Sequence, residues 1–276
     1  MNQTQKCILY LAKEFRRICE KNNIEYSLIG GSMIGAVRHK GFIPWDDDMD
    51  VALLRKDYEA FLNACEKDLD NTRFILETGE NEALYPFSFA KLILKGTYCE
   101  EDFSQGVSVK KGIWLDVFPL DNCPSKNWKM SYFFMINKIL KNLVWVKCGY
   151  GTSAHRKEIQ YKVNKLLGLP FSVDFLKRKR KNFITSLNGQ ATQRVFLSDY
   201  PFIVFYEKWF DHLIEYDFEG EKFSGFEDFD DYLSGHYGDY MRIPPPNQRN
   251  AHSLKNVDYG PYKDIPFVFG KENRER

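Results

Sequence analysis

The spacing of apolar positions divides this chain into two kinds of territory. In Gln3–Asn22, apolar side chains at Ile8, Leu11, Ala12, Phe15, Ile18 and Cys19 follow the i, i+3, i+4, i+7 rule, which predicts an amphipathic helix. Ile24–Ile29 reads as a short strand, Gly30-Gly31-Ser32 as a sharp turn, and Ser32–His39 as a short helix ended by Gly41. Phe42-Ile43-Pro44-Trp45 reads as a loop and Asp48–Leu54 as a strand. Asp57 is placed to cap a helix whose apolar face is Tyr58, Phe61, Leu62, Cys65 and Leu69. Strand-like runs follow at 73–77, 87–94 and 112–118, with Pro119 expected to stop the last.

This alternation predicts an α/β (α+β) fold, a mixed sheet flanked by helices. Residues 125–189 read as mostly helical, broken at Gly149-Tyr150-Gly151 and Gly168-Leu169-Pro170. Short β-like stretches are expected at 194–197 and 213–218, and a helix at 226–236. The tail from Tyr237, rich in Gly, Pro and Asn, reads as irregular. The expected organisation is a catalytic core over 1–124, a basic helical region over 125–190 and an acidic, substrate-closing region over 191–276.

Composition narrows the class. An apolar fraction of 43% in 276 residues supports a folded core rather than disorder. The six cysteines include no C-x-x-C pair, so a zinc ribbon is not supported, and they are expected as reduced, buried thiols. The most apolar stretch, 130–146, is interrupted by Asn137, Lys138, Lys141 and Asn142, which makes a membrane span a poor reading. No targeting segment stands out, and a cytoplasmic location is expected. The net charge of +1 conceals a division. Residues 126–181 carry fourteen Lys/Arg against two acids, whereas 207–231 carries ten acids against two lysines. The basic block, with Lys177–Lys181 as five consecutive cations, is expected either to meet an anionic glycan or membrane surface through 130–181 or to be a solvated helical face.

The candidate chemistry lies in two places. If Asp48–Leu54 is a strand, Asp48 and Asp50 share a face, roughly 6.6 Å apart at Cα. Two such carboxylates repel unless a hard divalent cation, Mg²⁺ or Mn²⁺, lies between them, and Mg²⁺ is commonly completed by phosphate oxygens. Gly30, Gly31 and Ser32 offer backbone N–H groups and a hydroxyl at a helix start, a cradle for phosphate. Asp116, inside the apolar run Ile113–Phe118, is costly there unless paired or metal-bound, and is the expected third ligand. A calcium loop built on Asp46, Asp48, Asp50 and Asp57 fails because Val51 stands where that loop needs glycine. Cradle and carboxylates together point to metal-assisted phosphoryl or nucleotidyl transfer. Arg38 and Lys91 are further candidates for donor phosphate. Trp45, Arg249 and His252 are candidates for substrate contact.

The run from Ile29 to Val51, with the Gly30-Gly31-Ser32 turn and the Trp45-Asp46-Asp47-Asp48-Met49-Asp50 segment, resembles the signature of the LicD family. Trp114–Asp121 and Tyr237–Met241 leading to Pro244-Pro245 resemble two further family blocks. The resemblance implies a nucleotidyltransferase-like fold and transfer of a phospho-substituent, such as phosphocholine, from a CDP-linked donor to a hydroxyl of a cell-surface glycan or glycolipid. It also implies catalytic and metal roles for Asp48, Asp50 and Asp116. No nucleic-acid partner is expected, although a polymerase-like role would use the same triad and the basic block. A small-molecule nucleotidyltransferase releasing pyrophosphate stays open as the alternative. Residues 126–190 depart most from the family pattern, which leaves the acceptor open.

Overall fold

The computed structural model describes residues 1–200, 202–249 and 254–263. The elements run α1 (Gln3–Asn22), β1 (Ser27–Leu28), α2 (Gly30–His39), β2 (Asp50–Leu54), α3 (Arg55–Asp68), β3 (Phe74–Glu77), β4 (Ala90–Leu94), β5 (Tyr98–Glu100), β6 (Trp114–Asn122), α4 (Asn127–Lys147), α5 (Ile159–Gly168), α6 (Val173–Ile184), β7 (Arg194–Leu197), β8 (Val204–Tyr206), β9 (Leu213–Phe218), β10 (Glu221–Phe226), α7 (Phe229–Tyr237) and β11 (Lys255–Asp258). The mixed, helix-flanked sheet and the helical middle region agree with the α/β expectation.

The main sheet has seven strands, with the path β1-β2-β6-β4-β3 and with β7 and β8 attached beside β6. β2 and β6 are parallel, and the other neighbours in the sheet are antiparallel. α1 and α3 cover one face. There Phe15, Phe61, Val51, Leu115 and Val117 are fully buried, in line with the predicted stripes. The opposite face carries the acidic positions and is bordered by the chain beyond residue 194.

Several local expectations are corrected. Pro119 does not stop its strand; β6 continues to Asn122. The register explains why: β4 pairs with β6 only as far as Val117, and β7 begins pairing at Leu120. Pro119 therefore falls in the gap between two partners, where its missing N–H costs no bond on that side. The strand expected over 24–29 contracts to Ser27–Leu28, and α2 starts directly at Gly30 rather than after a turn. Asp57 lies in the first turn of α3, whose N-cap is Leu54. The tail is not all irregular: β11 pairs with β5.

In the basic block, the breaks at 149–151 and 168–170 separate α4, α5 and α6 as expected. Five consecutive cations on a helix point around its whole circumference. Accordingly, Lys177 Nζ donates to the carbonyls of Gly79, Glu82 and Ala83, Arg180 is buried, and Lys181 pairs with Glu80. All six cysteines are free and buried. Among the described residues, no helix is long and apolar enough to cross a membrane.

Candidate active site

The parallel pairing of β2 and β6 sets Asp50 directly opposite Asp116. Adjacent strands lie about 4.8 Å apart, so the two carboxylates share one face at close range. The same transverse row continues through β4 and β3, where Lys91 opposes Asp116 and Glu77 opposes Lys91. Asp48 lies two residues before the start of β2 instead of within it. It nevertheless lines the same pocket as Asp50 and Asp116, together with Ile29, Gly30, Phe118, Leu197, Tyr200, Ile203, Phe205, Tyr232 and Tyr237. This pocket holds about 210 Å³.

The Asp116 carboxylate is held by a hydrogen bond at one oxygen only. Trp114 Nε1 donates to Asp116 Oδ2 at 3.0 Å, while Asp116 Oδ1 is buried with no hydrogen-bond partner. Burial foremost pushes the Asp116 carboxyl up to about 7, with Glu101 and Asp48 adding to the rise against the Lys91 ammonium. Asp50 is also raised well above the carboxylate range, by burial and then by Asp48, Asp116 and Asp46. Burial would lower the Lys91 ammonium, but Glu101 and Asp116 outweigh it and the net shift is upward. Lys91 Nζ is committed to Glu101 Oε2 at 2.8 Å and sits 3.7 Å from the Trp114 ring centroid. It borders the acidic row without lining the pocket.

The glycines act at the head of α2. Gly30 has φ +58°, and a Cβ there would lie 3.5 Å from Asp50 Oδ2. Its N–H donates to Tyr232 Oη at 2.9 Å. A Cβ on Gly31 would meet Asp46 Oδ2 at 2.6 Å. Ser32 Oγ accepts from the Asp50 amide at 2.8 Å, so its evident task is to fix the start of β2. Of the three cradle residues, Gly30 lines the pocket.

The remaining candidates fall elsewhere. Arg38 donates to the carbonyls of Tyr240 and Arg242, clamping that segment to α2. The Arg249 guanidinium stacks 4.2 Å from the Trp45 ring centroid, and neither residue lines the carboxylate pocket. His252 lies outside the described residues. Sequence reasoning missed Tyr200, Tyr232 and Tyr237 as pocket residues. Tyr237 opens one of the motif blocks, which was the available signal. Tyr200 is placed through its neighbour Asp199, which bonds Arg180 Nη2 at 3.0 Å and the Ser88 amide at 2.8 Å. A larger cavity of about 380 Å³ lies between α3 and α6; of its five cations, Arg55, Lys177, Arg180 and Lys181 are engaged within the fold, and Arg178 makes no ion pair among the described residues.

Among the described residues, no group of three or more His, Cys, Asp or Glu side chains is placed to hold a metal ion. The residues still fit a divalent cation completed by substrate. Two raised carboxyls face each other across parallel strands, a third lines the same pocket, and one buried carboxylate oxygen has no partner. Mg²⁺ seldom needs an all-protein cage.

The mixed, helix-flanked sheet, with a parallel pair of strands at its centre, is consistent with an α/β nucleotidyltransferase-like fold. The chain belongs to the LicD family: residues 23–173 match the LicD/FKTN/FKRP nucleotidyltransferase domain. It is similar to the lipopolysaccharide cholinephosphotransferase LicD of Haemophilus influenzae, with 29% identity over 271 residues, 93% of this chain and 97% of that protein. It is also similar to an uncharacterized protein of Rickettsia prowazekii, 30% identical over 112 residues, which are 34% of this chain and 40% of that one.

Proposed function

We propose that this protein transfers a phospho-substituent, phosphocholine or a close analogue, from a CDP-linked donor to a hydroxyl of a cell-surface glycan or glycolipid, releasing CMP. The observation that carries this reading is Asp50 opposite Asp116 with Asp48 in the same pocket. Similarity to a cholinephosphotransferase over nearly the whole chain supports it. The reading puts the protein in the cytoplasm, at the inner face of the membrane where the acceptor is a glycolipid.

Asp48, Asp50 and Asp116 are the residues that would hold Mg²⁺ or Mn²⁺. When bound, the cation supplies charge neutralisation for the donor diphosphate. Gly30 keeps the pocket wall free of a side chain, so phosphate oxygens can approach the start of α2. The acceptor oxygen forms a bond to the distal phosphorus as the phosphorus–oxygen bond to CMP breaks. The proton of the acceptor hydroxyl passes to a carboxylate, for which the unpartnered Asp116 Oδ1 is the available atom. Phe118, Leu197 and Phe205 line the pocket with apolar surface, which limits water as a competing acceptor.

Titration calorimetry of CDP-choline, CDP-ribitol, CDP-glycerol and CTP, each with Mg²⁺, tests the reading. One CDP-linked compound is expected to bind and to yield CMP when acceptor is supplied. Asp50→Asn is expected to lower turnover at least about 100-fold while leaving the fold intact. Binding of CTP alone with pyrophosphate release would replace this reading with the small-molecule nucleotidyltransferase. Retained turnover in Asp50→Asn would remove the carboxylate assignment.

A further inference from the structure

α5 is built the wrong way round for a helix facing water. Its inward positions are Tyr161, Asn164 and Gly168, and Gly168 is its one buried residue. Its outward arc carries Ile159, Val163, Leu166 and Leu167, with Ile159 80% and Leu166 66% exposed. A surface helix of a globular protein normally shows the reverse. α4 buries Phe133, Phe134 and Asn137, yet its opposite side adds a second stripe. Trp128, Tyr132, Met135 and Ile139 recur at i, i+4, i+7 and i+11, and Trp128 is 70% exposed. The two helices pack on each other, and Lys147 Nζ of α4 reaches the Gly168 carbonyl at 3.1 Å. Leu169 and Phe171 extend the exposed apolar surface beyond α5. Single exposed apolar residues need no explanation, but repeated stripes on adjoining helices mark a docking surface.

The charge beside these stripes selects the partner. Between residues 126 and 173 there are nine Lys/Arg and a single acid, Glu158. Lys129, Lys138, Lys162 and Lys165 are exposed, and among the described residues none sits in an ion pair. A two-fold contact with a second copy would set this excess of cations against itself. An anionic lipid surface neutralises it while taking up the apolar side chains.

We propose that the outward faces of α4 and α5 form an interfacial docking surface for an anionic bilayer. The apolar stripes enter the headgroup boundary, and the lysines at their margins meet lipid phosphates. The surface adjoins the chemistry. A cavity of about 320 Å³, lined by Lys138 and Lys141 of α4 and by Phe202, also includes Tyr200 and Ile203, which line the carboxylate pocket. Docking through α4 brings that side entrance to the membrane, where an acceptor carried on a lipid enters. This last consequence rests on the transferase reading, whereas the docking itself does not.

Flotation of the full chain with vesicles tests the proposal. One set is phosphatidylcholine with phosphatidylglycerol, and the other is phosphatidylcholine alone. The wild type is expected to float with the anionic vesicles, less at high salt, and not with the neutral ones. Val163→Glu combined with Leu166→Glu is expected to reduce flotation about tenfold or more. Both side chains are already exposed, so an unchanged circular dichroism melt confirms that the variant folds. No flotation, equal flotation on neutral vesicles, or full flotation of the folded double variant each overturns the proposal. So does vesicle-free self-association that the double variant abolishes, which would assign the face to a second copy. Donor binding in solution needs no membrane, so failure here is separable from failure of the transferase reading.

Discussion

Asp116 carries opposite demands at different pH, and the sign of its effect on stability follows. Its folded carboxyl is raised to about 7 from an ordinary 3.8, burial being the main cause, and Asp50 is raised as well. A raised acid binds its proton more tightly in the folded state than in the unfolded one. Its contribution to stability is therefore complete below the unfolded value and is lost as pH rises through the folded value. Without a divalent cation, the protein should lose stability between about pH 4 and pH 7 through this group, and Asp116→Asn should flatten that slope. Added Mg²⁺ should raise the melting temperature more at about pH 8 than at about pH 5, because only the ionised pair attracts it. Thermal melts of wild type and variant across this range check both statements; parallel pH profiles would contradict them. The acids were legible in the sequence because an Asp within an apolar strand demands a reason. Tyr200, Tyr232 and Tyr237 were not, since a tyrosine in a helix or loop carries no such local cost and reaches the pocket only through tertiary packing.

Elements show where local rules were sufficient and where they were not. The helix–strand alternation through the first 120 residues was readable because each element buries one periodic face. Pro119 misled because its tolerance depends on which neighbours pair at that point of β6, which one strand's sequence does not reveal. The basic run in α6 divides its cations, since a helix distributes five successive residues over all its sides. Arg180 consequently points inward, donating to Asp199 Oδ1 and to the Ser198 carbonyl, each at 3.0 Å, and to the Pro86 carbonyl at 3.3 Å. Arg180 and Asp199 are both almost fully buried. Removing one member of such a pair leaves an uncompensated charge in the interior. Arg180→Met should destabilise the fold by about 3–5 kcal/mol, and adding Asp199→Asn should recover part of the loss. Urea unfolding of the single and double variants measures both effects. If the two losses simply add, the pair is not coupled. The same contact positions the turn bearing Tyr200, so turnover in Arg180→Met should fall at temperatures where the variant is still folded.

At the scale of the whole molecule, the segment 255–262 returns to the first helix. Lys255–Asp258 pairs with β5, the Thr4 hydroxyl meets Tyr259 Oη at 2.9 Å, and Gln3 donates to the Tyr262 carbonyl. Tyr262 is buried, with its ring centroid 6.1 Å from that of Tyr10, which in turn packs on Phe74 of β3. This strap was invisible in a Gly-, Pro- and Asn-rich sequence, because its order comes from edges supplied by α1 and β5 rather than from its own periodicity. It also bears on the site. β5 leads into Glu101, Glu101 holds Lys91, and Lys91 opposes Asp116. Tyr262→Ala should therefore cost about 3 kcal/mol by emptying a buried aromatic position. Its effect on turnover should be small below the melting transition, because Lys91 keeps its own partners in the sheet. Tyr262→Phe, which retains the ring, should restore nearly all of the stability. Denaturant unfolding of the two variants decides the point: an equal loss in both would assign the contribution to the hydroxyl instead of to packing of the strap.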